Sequence, residues 1–142
     1  YQGRKHMEAP VKGMEGSPSV LALAYLGDGV LELEIREYLI RSGKVRLDSL
    51  HKGAVRYVSA AAQSKVYDVI GEFLSDEERN VMKSGRNSKK KIPKNVDMKD
   101  YRKSTGLEAL YGYLHLEGRK ERIRALTAHL VQIIEGGPVH ED

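Results

Sequence analysis

The sequence contains no cysteine and no tryptophan, and only one of its 142 residues is a phenylalanine. Without cysteine the chain has no disulfide framework, no zinc site built on thiolates and no cysteine nucleophile, and this composition is typical of a reducing compartment. Its five histidines include no pair at the spacing of metal ligands. A disulfide-stabilised secreted domain and a zinc enzyme are therefore not expected.

Long hydrophobic runs and prolines are also scarce. The longest mainly apolar stretch, residues 20–31, is shorter than the roughly 20 residues of a membrane-spanning helix, and Gly27, Asp28 and Gly29 interrupt it. Only four prolines occur in the chain, and the spacing of apolar residues is mostly helical. We expect a soluble, cytoplasmic, all-helical protein with neither a signal peptide nor a membrane span.

A chain of this length is expected to form one domain with a single core. Residues 1–6 resemble the remnant of an expression tag in front of an initiating methionine, and we expect residues 7–16 to form an N-terminal arm. The folded domain is predicted over residues 17–135, followed by a flexible tail at residues 136–142.

Capping residues and periodicity predict six helices. Ser17 and Pro18 predict the start of the first helix, which should end at Arg41. Residues 31–35 alternate as a strand would, but the length of the segment and its two apolar stripes favour a central buried helix. The stripes are Leu23, Leu26, Val30 and Leu33, and Leu31, Ile35 and Leu39.

The other five helices are predicted from similar signals. The third should bury a face formed by Val58, Ala62, Val66, Val69 and Phe73. The predicted starts are Asp48, Ser59, Ser75, Asp97 and Arg119, and the predicted ends are Arg56, Phe73, Asn87, Leu116 and Glu135.

Asp28 is the most unusual residue, because it is an acid within an apolar helix and lies between two glycines. Each glycine lowers helix stability by roughly 0.8–1 kcal/mol relative to alanine, but glycines let another backbone or a ligand approach closely. A buried carboxylate needs a cation beside it. The same pattern also suits an exposed acid on a helix whose glycines serve packing.

A second acid, Glu108, lies between the small residues Thr105 and Gly112 on the fifth predicted helix, and its face is expected to form a shallow polar groove. Two acids on crossing helices could hold Mg²⁺, which takes one or two protein carboxylates and keeps waters as its other ligands. A solvated glutamate on an amphipathic helix is the alternative interpretation.

Positive charge is concentrated in residues 79–103, which we call the basic face. This segment contains ten basic and two acidic residues, whereas the rest of the chain without residues 1–6 is acidic overall. Two pairs in this segment carry donors of the kind that contact phosphates, namely Arg86 with Asn87 and Lys94 with Asn95. Because no aromatic motif for stacking bases accompanies them, we expect a duplex target, with a solvated loop as the alternative.

Two segments carry a family resemblance. Residues 24–30 (AYLGDGV) resemble the signature helix of the ribonuclease III family, and residues 104–114 (STGLEALYGYL) resemble its second acidic helix. The chain is most similar to the Mini-III branch, which has the catalytic domain alone. Further similar stretches follow in the family's order at residues 50–52, 56–60, 85–87, 93–95 and 101–102.

The resemblance implies an all-α ribonuclease III-type endonuclease domain that works as a homodimer with one site per subunit. Full ribonuclease III enzymes carry further acids where this chain has Leu21, Ala24 and Thr105, and Mini-III proteins are similar to it in lacking them. The resemblance therefore implies only Asp28 and Glu108 as catalytic residues and Mg²⁺ ligands.

The implied reaction is cleavage of both strands of double-stranded RNA, in which the ion polarises the scissile phosphate and activates water, leaving a 5′-phosphate and a 3′-hydroxyl. The implied task is maturation of the large-subunit ribosomal RNA precursor, in which a ribosomal protein could assist. The basic face is expected to position the duplex through Arg86, Lys89, Lys90, Lys91, Lys94, Arg102 and Lys103.

Two other functions are compatible with the sequence. A helical domain could bind structured RNA through the basic face without turnover, because its set of acids is small. A protein-interaction module could use the same face to bind an acidic partner, but that function gives no reason for the surroundings of Asp28 and Glu108.

Overall fold

The computed structural model describes residues 18–44, 46–88 and 91–136. Across these ranges the regular structure is entirely helical, which confirms the predicted fold class. The tag remnant, the arm and residues 137–142 of the tail lie outside the described residues. The helices are α1 (Val20–Arg41), α2 (Leu47–Val58), α3 (Ala60–Ile70), α4 (Asp76–Arg86), α5 (Met98–Leu116) and α6 (Lys120–Ile134), and a short 3-10 helix (Gly71–Phe73) follows α3.

Three of the predicted helix caps are confirmed. The side chains of Ser59, Ser75 and Asp97 each accept a hydrogen bond from a backbone amide of the first turn, at 3.0–3.2 Å. Ser75 and Glu78 form a reciprocal capping box, which satisfies two amides that a helix start otherwise leaves without partners.

Two predicted helix starts are different in the structure. The side chain of Ser19 caps α1 by accepting from the Ala22 amide at 3.1 Å, whereas Ser17 lies outside the described residues. Asp48 does not cap α2, because the helix begins one residue earlier at Leu47. Its carboxylate instead accepts from the Ser49 amide within the first turn, at 3.0 Å.

The central helix is α5, not α1 as the sequence predicted. It packs against α1, α3, α4 and α6, and every residue from Ser104 to Leu114 except Glu108 is buried. Because four helices surround α5, its small residues lie in helix contacts. Thr105 and Gly112, the small residues on either side of Glu108, are buried and do not line an open groove.

Helices α1 and α3 each bury only one face. In α1 the stripe of Leu31, Ile35 and Leu39 is buried as predicted, but Leu33 of the other stripe is 65% exposed, because α1 lies beside α5 and leaves its outer side open. The buried residues of α3 are Gln63, Ser64, Val66 and Ile70. Val69 and Phe73, which belong to the predicted face, are exposed.

The last helix is joined to the body at both of its ends. Ile123, Leu126 and Leu130 are buried as predicted. Near its start, Arg122 donates to both carboxylate oxygens of the buried Glu78 at 2.8 Å. Burial acts to raise the pKa of Glu78, but the hydrogen bonds from Arg122 and from the Ser75 amide outweigh it and lower that pKa.

Beyond the end of α6, Glu135 accepts hydrogen bonds from two tyrosine hydroxyls. Tyr57 of α2 lies at 2.5 Å and Tyr38 of α1 at 2.7 Å from the same carboxylate oxygen. The hydrogen bond from Tyr57, with that from Tyr38, lowers the pKa of Glu135. Three helices are thus connected at this carboxylate. Among the described residues, no helix is long and apolar enough to cross a membrane.

Candidate active site

The two helices that carry the candidate acids, α1 and α5, cross at glycines. A Cβ atom on Gly27 would overlap the carbonyl oxygen of Glu108 and would lie 2.7 Å from the Gly112 amide nitrogen. A Cβ atom on Gly112 would likewise overlap the carbonyl oxygen of Leu23. Backbone therefore packs directly on backbone at this crossing, which only glycine allows.

Asp28 directly follows the glycine of this crossing in α1. Its side chain is exposed, so it carries no cost of burial and is accessible to a cation or a substrate. Gly29 on its other side has no neighbour within 4 Å of an added Cβ atom. Of the two glycines that flank Asp28, only Gly27 is thus required for packing.

Glu108 belongs to the same crossing through its own backbone, and its side chain is half-buried. Its Oε2 accepts a hydrogen bond from Nε2 of Gln63 at 3.3 Å. Gln63 is only 2% exposed, and its Oε1 has no hydrogen-bond partner among the described residues. Gln63 is not predicted from the sequence, because the predicted face of α3 does not include it.

The donor set at this crossing consists of hard oxygens. Within the described residues, no group of three or more histidine, cysteine, aspartate or glutamate side chains could hold a metal ion, so the candidates are the two carboxylates, one of which accepts a hydrogen bond from the amide nitrogen of Gln63. Mg²⁺ fits such a set, because it takes few carboxylates and completes its octahedron with waters.

A second close crossing, between α4 and α5, organises part of the basic face. A Cβ atom on Gly85 would lie 2.8 Å from the Cα atom of Gly106. The next residue of α4, Arg86, places its guanidinium 5.9 Å from the ring centroid of Tyr67 and donates to Asn87 at 3.0 Å. Its cation is therefore held in one place by a cation–π contact and a hydrogen bond.

The other predicted RNA-binding residues have varied surroundings. Lys103 forms an ion pair with Asp68 at 2.7 Å, and the Nε atom of Arg102 is buried without a hydrogen-bond partner. Lys91 and Lys94 are exposed in the segment before α5, where Asn95 has a φ of 69°. Lys89 and Lys90 lie outside the described residues.

Arg79 is one of the basic residues of the basic face, but its guanidinium forms contacts that stabilise the fold. Its Nη1 atom donates to the carbonyl oxygens of Gly71 and Leu74 at 2.8 and 2.7 Å, and it pairs with Asp76 in the same turn. Its guanidinium therefore closes the end of the 3-10 helix onto the start of α4.

The family follows from comparison with known proteins. The ribonuclease III domain family matches residues 21–119, which include both glycine crossings and both candidate acids. The chain therefore belongs to the ribonuclease III family.

Individual relatives indicate the branch. The chain is 46% identical over 117 residues to the Mini-ribonuclease 3 of Brevibacillus brevis, covering 82% of this chain and 87% of the relative. It is 39% identical over 117 residues to the Mini-ribonuclease 3 of Staphylococcus aureus, and the match covers 80% of this chain and 87% of that relative. The resemblance to the Mini-III branch is confirmed.

A solved structure has the same fold. A crystal structure of a protein from Fusobacterium nucleatum superposes with a TM-score of 0.72 at 32% identity, covering 83% of this chain and 93% of that one.

Proposed function

We propose that this protein is a Mg²⁺-dependent endoribonuclease that cuts double-stranded RNA, with Asp28 and Glu108 as its catalytic residues and metal ligands. Membership of the ribonuclease III family supports the endoribonuclease activity and an RNA duplex as the substrate. The observation that carries the site is the crossing of α1 and α5 at Gly27 and Gly112, to which both acids are adjacent.

The two carboxylates have a simple role in this proposal. Bound Mg²⁺ supplies positive charge to a phosphodiester and lowers the pKa of water, which suits hydrolysis to a 5′-phosphate and a 3′-hydroxyl. Asp28 and Glu108 hold the ion by their negative charge, and the direct backbone contact between their helices keeps the two attachment points at a fixed separation. The exposure of Asp28 leaves room for the RNA.

The basic face positions the duplex. Arg86 and Lys103 have fixed surroundings in the structure, and Lys91 and Lys94 are exposed. Cations at these positions would contact phosphates without reading bases, so binding would be similar for different sequences. With Lys89, Lys90 and Arg102, they are the proposed RNA-binding residues.

A homodimer gives the protein one site for each strand. Apolar side chains on the outer sides of α1 and α2 support a second copy as the partner, because Ile40, Leu47 and Val55 line one groove and a monomer in water rarely exposes large contiguous apolar patches. The most exposed are Tyr25 at 86%, Leu47 at 68%, Leu33 at 65%, Val55 at 60% and Ile40 at 59%.

The proposed cellular substrate is the large-subunit ribosomal RNA precursor in the cytoplasm, with a ribosomal protein as a possible assistant. This part of the proposal rests on the family resemblance of residues 24–30 and 104–114.

A cleavage assay with defined RNA tests the proposal. The protein is incubated with an end-labelled RNA duplex in Mg²⁺, in Ca²⁺ and in EDTA, with the single strands and a DNA duplex of the same sequence as matched substrates. We expect cleavage of the RNA duplex in Mg²⁺ only, with 3′-hydroxyl ends. Tight binding without cleavage would instead favour the non-catalytic RNA-binding domain, and neither binding nor cleavage would favour the protein-interaction module.

A further inference from the structure

Gln63 connects three helices at the candidate active site. It lies in the first turns of α3, and its Nε2 atom donates to the Val58 carbonyl oxygen at the end of α2 at 2.9 Å and to Glu108 Oε2 on α5 at 3.3 Å. Only 2% of the residue is exposed. A side chain this buried has few alternative rotamers, so its amide group is fixed by the surrounding core.

The two hydrogen bonds determine which way the amide points. Both neighbours of Nε2 are oxygen atoms that can only accept in the ionised state of Glu108, and the amide NH₂ group supplies two donors for them. The reversed amide would place its oxygen against these two oxygens and would lose both hydrogen bonds. Gln63 therefore acts as a donor to Glu108.

The glycine crossing alone does not fix the position of the Glu108 carboxylate. The contact of Gly27 with the Glu108 carbonyl fixes the backbone of α5, but a glutamate carboxylate is three rotatable bonds away from its backbone. The hydrogen bond from Gln63 engages one oxygen of this carboxylate, Oε2. A ligand whose carboxylate is held by such a bond loses less conformational freedom when it binds an ion.

The other end of the same amide is also informative. Gln63 Oε1 is buried and has no hydrogen-bond partner among the described residues. A buried amide oxygen without a donor is unfavourable in a purely structural role and is more often retained where a water or an ion completes the site. Replacing Gln63 by an apolar residue would remove this penalty but would also remove the hydrogen bonds to Val58 and Glu108.

We propose that Gln63 is a positioning residue that holds the Glu108 carboxylate for the metal ion. This inference rests on the proposed function, because it requires Glu108 to be a metal ligand. Gln63 itself need not contact the RNA or the ion, and its effect is exerted through the hydrogen bond from Nε2 to Glu108.

The test measures metal binding in the absence of RNA. Mn²⁺ alone is titrated into the 142-residue protein, and the free ion is followed by electron paramagnetic resonance. The variant is Gln63→Met, which keeps an unbranched side chain of similar length but removes the donor. The matched control is Thr127→Val, which removes another buried hydrogen bond, the 2.9 Å contact with Tyr111, on α6 instead of at the candidate site. Thermal unfolding of both variants is recorded.

We expect Gln63→Met to weaken Mn²⁺ binding about tenfold or more, as loss of a partner that orients a metal ligand does. Thr127→Val should bind Mn²⁺ like the parental protein. Parental Mn²⁺ affinity in Gln63→Met would overturn the inference, and so would equal weakening in the two variants, because that would indicate general loosening of the fold.

Two further variants separate this inference from the proposed function. If Asp28→Asn and Glu108→Gln bind Mn²⁺ like the parental protein, the proposed metal site itself is wrong. If they lose binding while Gln63→Met does not, only the role of Gln63 is wrong. Should Gln63→Met fail to fold, Gln63→Asn retains the polar amide but draws it back by one methylene, and it is expected to weaken Mn²⁺ binding in the same way.

Discussion

Gly27 and Glu108 are in direct backbone contact, because the carbonyl oxygen of Glu108 occupies the space that a side chain on Gly27 would need. Glu108 is thus itself part of the crossing. The other candidate acid, Asp28, directly follows Gly27 in the sequence. Helix packing and the geometry of the candidate site therefore depend on the same atoms.

Gly27→Ala should damage both stability and activity. The added methyl group would overlap backbone atoms of α5, which cannot move aside as a flexible side chain can. We expect a loss of about 3 kcal/mol in the free energy of unfolding, at the upper end for an overpacked core.

Gly29→Ala is the matched control, because its methyl group enters open space. It should raise stability by about 0.5–1 kcal/mol and keep cleavage activity. Denaturant unfolding measures the change in stability, and the duplex cleavage assay measures the change in activity. Equal stability of the two variants would contradict direct backbone packing at Gly27.

Asp28→Asn should abolish cleavage and leave the fold intact. Its side chain is exposed, so the free energy of unfolding should change by no more than about 0.5 kcal/mol, while the charge that holds the ion is lost. RNA affinity, measured by filter binding without divalent ions, should be nearly unchanged. Glu108→Gln should behave in the same way, because its amide oxygen can still accept from Gln63. A large drop in melting temperature in Asp28→Asn would instead identify Asp28 as a structural residue.

Replacing Lys89, Lys90 and Lys91 together by alanine should weaken duplex RNA binding. If these lysines neutralise phosphates, the slope of log affinity against log salt should flatten by about 0.7–0.9 for each phosphate that is no longer neutralised. The control removes the same charge elsewhere, through Arg41→Ala, Lys120→Ala and Arg124→Ala on α1 and α6. An unchanged slope in the lysine variant would place the RNA-binding surface away from these three lysines.

Glu78→Gln should destabilise the fold in a pH-dependent way. The folded-state pKa of Glu78 is lowered, so its contribution is fully present above the unfolded-state pKa of about 4.3 and is lost as the pH falls through the folded-state value. We expect a loss of about 2–3 kcal/mol at pH 7, less than for a fully buried pair because Arg122 is partly exposed. The difference from the parental protein should shrink below about pH 4.

Asp76→Asn is the control for that experiment. Its carboxylate pairs with Arg79 in the same turn, but its side chain is 93% exposed, so its effect should stay below about 1 kcal/mol. Equal effects of the two substitutions in urea unfolding would refute the importance of the Glu78–Arg122 pair.

Light scattering of RNA-free protein should give the mass of a dimer. Leu47→Asp together with Val55→Asp would place charges on the exposed apolar side of α2 and should shift the mass towards that of a monomer. A monomer mass for the parental protein across the micromolar range would contradict the homodimer.

Helix positions and caps were largely predictable, since they depend on local signals. The predicted helix starts at Ser59, Ser75 and Asp97 are confirmed because each is specified within a few residues. Which helix is central was not predictable in this way. The apolar run of α1 is the longest in the chain, but the small residues of α5 allow four neighbours to approach it, and that property appears only on packing.

In the candidate site, too, some residues were predictable from the sequence and others were not. Asp28 and Glu108 stand out because glycines and small residues accompany them, and the close crossing explains why. Gln63 has no such signal. It lies 45 residues from Glu108 in the chain, and the apolar face predicted for α3 is rotated relative to the buried face. A hydrogen bond between distant segments leaves no local pattern.

The shared acceptor at Glu135 has a practical consequence for protein engineering. Tyr38 and Tyr57 both donate to a residue that lies just beyond α6, so the domain is closed by a side chain that a trimmed expression clone could easily omit. A purification tag or fluorescent fusion joined after Gly136 preserves this junction. A fusion joined directly to Ile134 leaves two hydroxyls without their carboxylate and removes the hydrogen bonds that connect α1 and α2 to the end of the last helix.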